Sequence, residues 1–374
     1  LAKGESLDLS RYDVRTDLAL EAHQLAQKKT GSTNIPGVDI DTEDTEEIRI
    51  TRVFVQNEEG EKAIGKARGR YVTMEIPGLR NQDSELQHRV TKVFAKEFKS
   101  FLQKSKIKDS DTCLVIGLGN WNVTPDALGP MVIGNLLVTR HLFELMPENV
   151  EEGYRNVAAL SPGVLGITGI ETSDIVYSVV NEIKPDFVIA VDALASRSLE
   201  RVNTTIQISD TGIHPGSGIG NKRKAINKEA LGIPVFAVGV PTVVDAVSVA
   251  SDAIDFLLAH LGRQLKESRK PKSAKHRLLA EDYTPLYDKP PTFTEDDLPS
   301  EAEKERLMGM VGGLDSDEKR ELIREVLQPM GHNLIVTPKE VDDFIDDIGN
   351  LLANGLNAAL HHKVNMENLS AYTH

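Results

Sequence analysis

The stretch from Cys113 to Leu265 constrains the fold more than any other part of the chain. Short apolar runs alternate there with segments of helical spacing. Cys113-Leu-Val-Ile-Gly-Leu-Gly119 ends in glycines. Val157 to Leu160 stops at Ser161-Pro-Gly, and Phe187-Val-Ile-Ala-Val191 is followed at once by Asp192. Runs that are apolar on both faces suit strands buried between helix layers. Asp126 to Phe143, Glu171 to Ile183 and Ala246 to Leu265 read as helices, and Ile206-Gln-Ile208 and Val235 to Val240 as further strands. Repeated strand–helix units of this kind predict an α/β fold, a mostly parallel twisted sheet with helices on both faces.

The flanking regions are plainer. Residues 1–46 are polar and turn-rich, with a short helix predicted from Arg11 to Ala22. Glu47 to Val55 and Tyr71 to Ile76 read as strands, with Glu58-Glu59-Gly60 as a turn, so 47–76 is expected to form a small antiparallel element. Val90 to Leu102 has helical periodicity. Residues 267–300 are rich in Lys, Pro and Asp and read as a linker. One helix is then expected from near Asp315 to Pro329. Another opens at Thr337-Pro338-Lys339-Glu340, where Thr337 can cap and Glu340 can complete a capping box. The expected organisation is a terminal segment 1–15, an α/β core 16–266, a linker 267–300 and a helical C-terminal region 301–374 packed on the core.

Composition removes several function classes. Cys113 is the single cysteine of the 374 residues, which excludes an intrachain disulfide and a cysteine-based zinc site and fits a reducing cytoplasm. The ten histidines show no HExxH spacing, and His361 and His362 are adjacent and point different ways on a helix, so no metal is expected. No apolar run approaches the ~20 residues that span a bilayer. Leu1 to Arg15 has no apolar h-region, so it does not read as a secretory signal. With 43 Lys and Arg against 57 Asp and Glu, the net charge is −14, which disfavours direct binding of nucleic acid.

Ligands of open parallel sheets bind beyond the carboxyl ends of the strands. That rule selects Gly117 to Gly129, Ser161 to Gly169, Asp192 to Ser196 and Thr211 to Gly220. Two of these segments carry an acid at the strand end. Asp192 directly ends an apolar run, where a carboxylate is costly unless it is paired or used. Asp126 follows Pro125, at the expected start of a helix, where it serves either as a cap or in chemistry. Two carboxylates facing one cleft cannot both ionise easily, so one activates water while the other donates a proton. That is the equipment for peptide hydrolysis without a covalent intermediate. Asn120, Trp121, Ser161, His214 and Ser217 are candidates for lining the cleft. Gly117-Leu-Gly119 lacks the third glycine of a dinucleotide fingerprint, and Gly216-Ser-Gly-Ile-Gly220 has no following Gly-Lys-Ser/Thr. No cofactor is expected. An α/β nucleotide-binding enzyme and a non-catalytic scaffold remain the alternatives.

Gly117-Leu-Gly-Asn120, Asp126, Gly129 and Val191-Asp192-Ala193 resemble the pattern of the hydrogenase-maturation peptidases. Asp126 falls where those carry Glu and Pro125 where they carry Asp, and their nickel-coordinating histidine has no match. A metal-assisted maturation peptidase is a further alternative on that likeness. A closer resemblance covers nearly the whole chain. Leu7-Asp-Leu-Ser10, Tyr12-Asp-Val-Arg-Thr-Asp-Leu-Ala19, Glu21-Ala-His23, Gly117 to Pro130, Ser161-Pro-Gly-Val164, Val191-Asp-Ala-Leu-Ala195 and His214 to Asn221 are similar to the germination protease of spore-forming Gram-positive bacteria. This resemblance implies an endopeptidase of small acid-soluble spore proteins, with Asp126 and Asp192 as the catalytic pair. It further implies a zymogen that loses a short N-terminal propeptide, a homotetramer, and residence in the spore core; the polar terminal segment 1–15 is the expected propeptide, cut between Arg15 and Thr16 or within a few residues of that bond.

Overall fold

The structure, a computed structural model, describes residues 16–45, 47–214, 224–269, 298–314, 316–327 and 334–364. The expected terminal segment 1–15 and most of the expected linker lie outside the described residues. The chain forms two compact units. One holds the described residues up to Val244 together with those from Val336, and the other runs from Asp245 to Ile335.

The larger unit begins with α1 (Ala19–Thr30), β1 (Val38–Asp44), β2 (Arg49–Val55), α2 (Glu58–Ile64), β3 (Gly69–Glu75) and α3 (Ser84–Lys104). The alternating part follows: β4 (Cys113–Gly117), α4 (Leu128–Gly134), α5 (Arg140–Leu145), β5 (Val157–Leu160), α6 (Leu165–Thr168), α7 (Thr172–Ile183), β6 (Phe187–Ser196), β7 (Thr205–Ser209), α8 (Lys228–Leu231) and β8 (Val235–Asp245). The smaller unit contributes α9 (Ala246–Arg269), α10 (Glu301–Met308), α11 (Met310–Gly313) and α12 (Ser316–Leu327), in which Lys319 of α12 pairs with Asp255 of α9. The chain then rejoins the larger unit as α13 (Val341–Leu360). Among the described residues no helix is long and apolar enough to cross a membrane.

The fold is α/β, as the alternation predicts. The sheet order is β1-β2-β3-β7-β8-β6-β4-β5. β8, β6, β4 and β5 run parallel, while β7 and the three-strand layer β1–β3 continue the sheet antiparallel. Strand periodicity sorts the core into faces. Cys113 and Val115, Phe187, Ile189 and Val191, and Phe236 and Val238 meet Phe94 and Phe98 of α3 and Leu352 and Leu356 of α13. The alternate residues Leu114, Ile116, Val188 and Ala190 meet Val176 and Val180 of α7. Ala19, Ala22 and Ala26 of α1 cover Val53, Val55 and Tyr71.

Local departures from the sequence reading have local causes. Glu58-Glu59-Gly60 opens a helix because Asn57 caps it, accepting the Gly60 N–H at 3.0 Å. The helix expected over Asp126 to Phe143 is broken. The Leu137 N–H bonds to Asn357 Oδ1 on α13 at 2.9 Å, and that tertiary contact replaces helix continuation. Thr337 does not cap; its hydroxyl donates to the Thr242 carbonyl at 2.9 Å, and α13 starts at Val341. Of the helix expected over Arg11 to Ala22, residues 11–15 lie outside the described residues, Thr16 to Leu18 are not helical, and α1 begins at Ala19.

α13 is tied down at its end by a buried polar knot. Arg155, 4% exposed, donates to the carbonyls of Lys108 (2.6 Å), Asp111 (2.7 Å) and Leu360 (3.3 Å), with its guanidinium 5.3 Å from the Phe187 ring centre. The Arg155 N–H donates to His361 Nδ1 at 3.1 Å, and His361 Nε2 is buried without a hydrogen bond. Burial lowers the His361 pKa from 6.5 to about 4, partly offset by a backbone hydrogen bond at Leu137. The unfolded chain therefore takes up a proton that the folded one refuses. Stability is expected to fall as pH drops below 6.5 and to keep falling until about 4, by about 3 kcal/mol from this group. Urea midpoints at pH 7 and pH 5 check this: His361→Gln should lose less stability on acidification than the wild type.

Candidate active site

β4 and β6 have unequal lengths. Gly117 pairs with Val191, and the Leu118 N–H makes a last bond to the Val191 carbonyl at 2.8 Å. β6 continues to Ser196, paired there with β8. Asp192 therefore does not end its own strand, as the sequence reading has it. It lies inside β6, one residue beyond the end of β4 pairing. The small residues Ala193, Ala195 and Ser196 conceal the continuation, because they lack the apolar bulk that marks a buried run. Asp192 is 9% exposed, and its Oδ1 accepts the Ala193 N–H at 2.9 Å.

Where β4 stops, the chain turns sharply. Gly119 has φ +115°, a backbone conformation that L side chains rarely adopt. The Asn120 N–H donates to the Asp126 carbonyl at 2.9 Å, and Asn120 Oδ1 accepts the Asn122 N–H at 3.0 Å. Thr124–Asp126 is a 3-10 turn packed against β6, and the Thr242 hydroxyl holds the Pro125 carbonyl at 2.6 Å. Asp126 thus ends a 3-10 turn rather than capping a helix, and Ala127 occupies the N-cap of α4. A Cβ on Gly119 would stand 1.9 Å from the Asp126 carbonyl oxygen and 3.4 Å from its carboxyl carbon. A Cβ on Gly117 would likewise stand 2.3 Å from the Gly129 carbonyl oxygen. These glycines are required by the chain's own close approach, which accounts for them without a bound pyrophosphate. The turn brings Asp126 to the strand end next to β6, the strand that carries Asp192.

The other candidates are spread more widely. Asn120 shapes the Asp126 turn. Trp121 follows it, 54% exposed, with its ring edge 3.9 Å from where a Cβ on Gly134 would stand. Ser161 is half-buried directly after β5, the neighbour of β4. His214 is exposed, and Ser217 lies outside the described residues. The segment from Thr211 leaves the sheet at the wrong end for the carboxyl-end rule, because β7 runs antiparallel to β8. Its return is pinned where Lys224 meets Asp174 in the first turn of α7, at 2.7 Å. Among the described residues no group of three or more His, Cys, Asp or Glu is placed to hold a metal.

A group that the sequence reading missed lies just past the outer end of β6. Glu21, 2% exposed, accepts the Ser196 hydroxyl (2.9 Å), the N–H groups of Arg197 (2.8 Å) and Ser198 (3.1 Å), and Arg201 Nη1 (3.2 Å). The Thr16 hydroxyl also donates to it. Burial works against the charge of Arg201, but Glu21 and Glu75 outweigh it and raise its pKa. Loss of solvent lowers the pKa of Lys66, opposed by Asp17 and Glu21.

The germination protease family matches this chain over residues 17–373. The chain belongs to the germination protease family. The germination proteases of Bacillus cytotoxicus, Bacillus cereus and Bacillus mycoides are each 57% identical to it over 371 residues, covering 99% of this chain and 100% of theirs. As a member of that family the chain is a peptidase, and so a hydrolase. Gly119→Ala tests how closely the Asp126 turn is set. The strained φ and the clash with the Asp126 carbonyl should destabilise the protein by about 1–3 kcal/mol. Peptidase activity should fall by about a hundred-fold as the carboxylate is displaced. Urea unfolding and turnover of an unfolded protein substrate read the two effects separately.

Proposed function

We propose that this chain is an endopeptidase that hydrolyses peptide bonds with Asp126 and Asp192 as a general acid–base pair. The observation that carries the reading is the placement of the Asp126 turn against β6, beside the strand position where β4 pairing ends and Asp192 begins. A donor to a carboxylate favours its ionised form, and the Ala193 N–H on Asp192 supports assigning Asp192 as the base and Asp126 as the acid. Water attacks the scissile carbonyl carbon as Asp192 takes its proton. Asp126 then protonates the amide nitrogen, the C–N bond breaks, and a carboxylic acid and an amine leave. Proton exchange with solvent restores both groups. Asn120, Trp121 and Ser161, which follow the ends of β4 and β5, line the approach; His214 follows β7 at the opposite end of the sheet and has no part in it.

The germination proteases that this chain resembles suggest its substrates, the small acid-soluble proteins of the spore, and its place of action, the spore core. The same resemblance supports a homotetramer and a zymogen. Asp126→Asn and Asp192→Asn keep size and hydrogen-bond acceptors and remove charge. Each should reduce cleavage of a small acid-soluble spore protein by at least about a thousand-fold, with the thermal midpoint within a few degrees of wild type. Near-normal turnover by either variant rules out the pair.

The zymogen reading places the cut between Arg15, outside the described residues, and Thr16, the first residue within them. If the enzyme processes itself, the same two carboxylates perform the cut. An Asp192→Asn chain should then stay full length under activating conditions, while N-terminal sequencing of the matured wild type should begin at Thr16 or within a few residues of it. Processing of the variant at the normal rate excludes self-cleavage.

A further inference from the structure

The two-residue period of β6 fixes the direction of each main-chain group. The Val188 N–H bonds to the Pro234 carbonyl, just before β8, at 3.0 Å. The Phe187 N–H bonds to the Thr112 carbonyl, just before β4, at 3.3 Å, and the Val191 carbonyl accepts from Leu118 at 2.8 Å. Odd-numbered residues therefore face β4. Beyond Leu118 no strand lies on that side among the described residues, because the chain turns away at Gly119. Ala193 and Ala195 would present main-chain groups to an empty strand position, and buried main-chain groups are costly without partners.

Two aspartates fill the position. The Asp192 carboxylate takes the Ala193 N–H. Asp17 takes both groups of Ala195: its N–H donates to the Ala195 carbonyl at 3.2 Å, and its Oδ2 accepts the Ala195 N–H at 2.9 Å. Asp17 is itself held fast. Its carbonyl accepts from Lys66 Nζ at 3.0 Å and from Gln207 Nε2 at 3.1 Å. Lys66 also holds the Thr16 carbonyl at 2.8 Å, and Gln207 Oε1 accepts the Ala19 N–H at 2.7 Å. Asp192 thus sits on a stretch of β6 bracketed by Leu118 at Val191 and by Asp17 at Ala195.

We infer that Asp17 is a positioning residue of the peptidase site: it occupies the strand position that β4 leaves empty and fixes the part of β6 that carries Asp192. The inference rests on reading Asp192 as a catalytic group. It also places the N-terminal stretch, immediately after the expected cut, within the architecture of the site. Shortening the chain up to Thr16 leaves the bracket whole, and shortening it past Asp17 removes it.

Steady-state kinetics on an unfolded protein substrate test this, with Asp17→Ala, Asp17→Asn, Lys66→Met and Asp192→Asn beside wild type. Each chain is brought to the same N-terminus, verified by mass spectrometry, and its folded fraction is measured. Asp17→Ala should lower kcat by about ten-fold or more with KM within about two-fold. It should also move the acid limb of its kcat–pH profile, because the Ala193 N–H no longer sits squarely on the Asp192 carboxylate. Asp17→Asn should recover most of kcat, since its Oδ1 can accept the same N–H. Lys66→Met should behave as a weaker Asp17→Ala. Turnover and profile of Asp17→Ala matching wild type overturn the inference. So does an Asn variant no better than Ala, or a loss that follows the folded fraction alone. An inactive Asp192→Asn beside a wild-type-like Asp17→Ala overturns this inference only, whereas a fully active Asp192→Asn overturns the catalytic reading with it.

Discussion

The site depends on one mismatch: β4 stops at Gly117, and β6 runs on to Ser196. A strand that outlasts its neighbour exposes main-chain donors and acceptors in a region otherwise closed by helices. Leaving one such group unpaired costs about 1–3 kcal/mol. The chain answers with polar groups drawn from distant parts of the sequence. The Asp126 turn fills the space over the end of β4, Asp192 folds its carboxylate back onto its own strand, and Asp17 closes the far end. The same unpaired edge that requires polar partners is what brings carboxylates to the carboxyl end of a parallel sheet.

How much of this is legible in the sequence follows from the range of each interaction. β4, β5, β6 and β8 are visible as apolar runs because both of their faces are buried, and burial on both faces leaves a contiguous signature. β1 is not. It is an edge strand of sequence Val-Asp-Ile-Asp-Thr-Glu-Asp, with Val38 buried and the other six residues exposed, so no apolar pattern was needed to place it. The helix over Glu58–Ile64 hides behind a glycine that reads as a turn, although Asn57 supplies the local cap. Thr337 and Glu340 show the opposite failure. The capping box fits the local code, but the Thr337 hydroxyl is claimed by Thr242, a competitor 95 residues away.

The site divides in the same way. Asp192 stands out because an acid interrupts an apolar run, although the run's true extent is masked by alanines. Asp126 is findable from its neighbours Gly119 and Pro125, even though the turn it ends is 3-10 and not α-helical. Asp17 and Glu21 carry no such signal. Their partners Ala195 and Ser196 lie 178 and 175 residues away, and an acid near a helix start reads as an ordinary first-turn residue.

α1 docks by two different means. Ala19, Ala22 and Ala26 bury small apolar surface against Val53, Val55 and Tyr71, which is non-directional and tolerates small shifts. The residues just before and within its first turn, Asp17 and Glu21, dock by hydrogen bonds and charge on Ala195, Ser196, Arg197 and Arg201, which are directional. Buried charge pairs of the Glu21–Arg201 kind contribute little net stability, because desolvation offsets attraction. What they add is a defined position. The apolar contacts hold the helix against the sheet, while the polar ones set the place of the strand end beside Asp192. Non-directional and directional contacts are thereby divided between the alanine stripe of the helix and the stretch from Asp17 to Glu21 at its start.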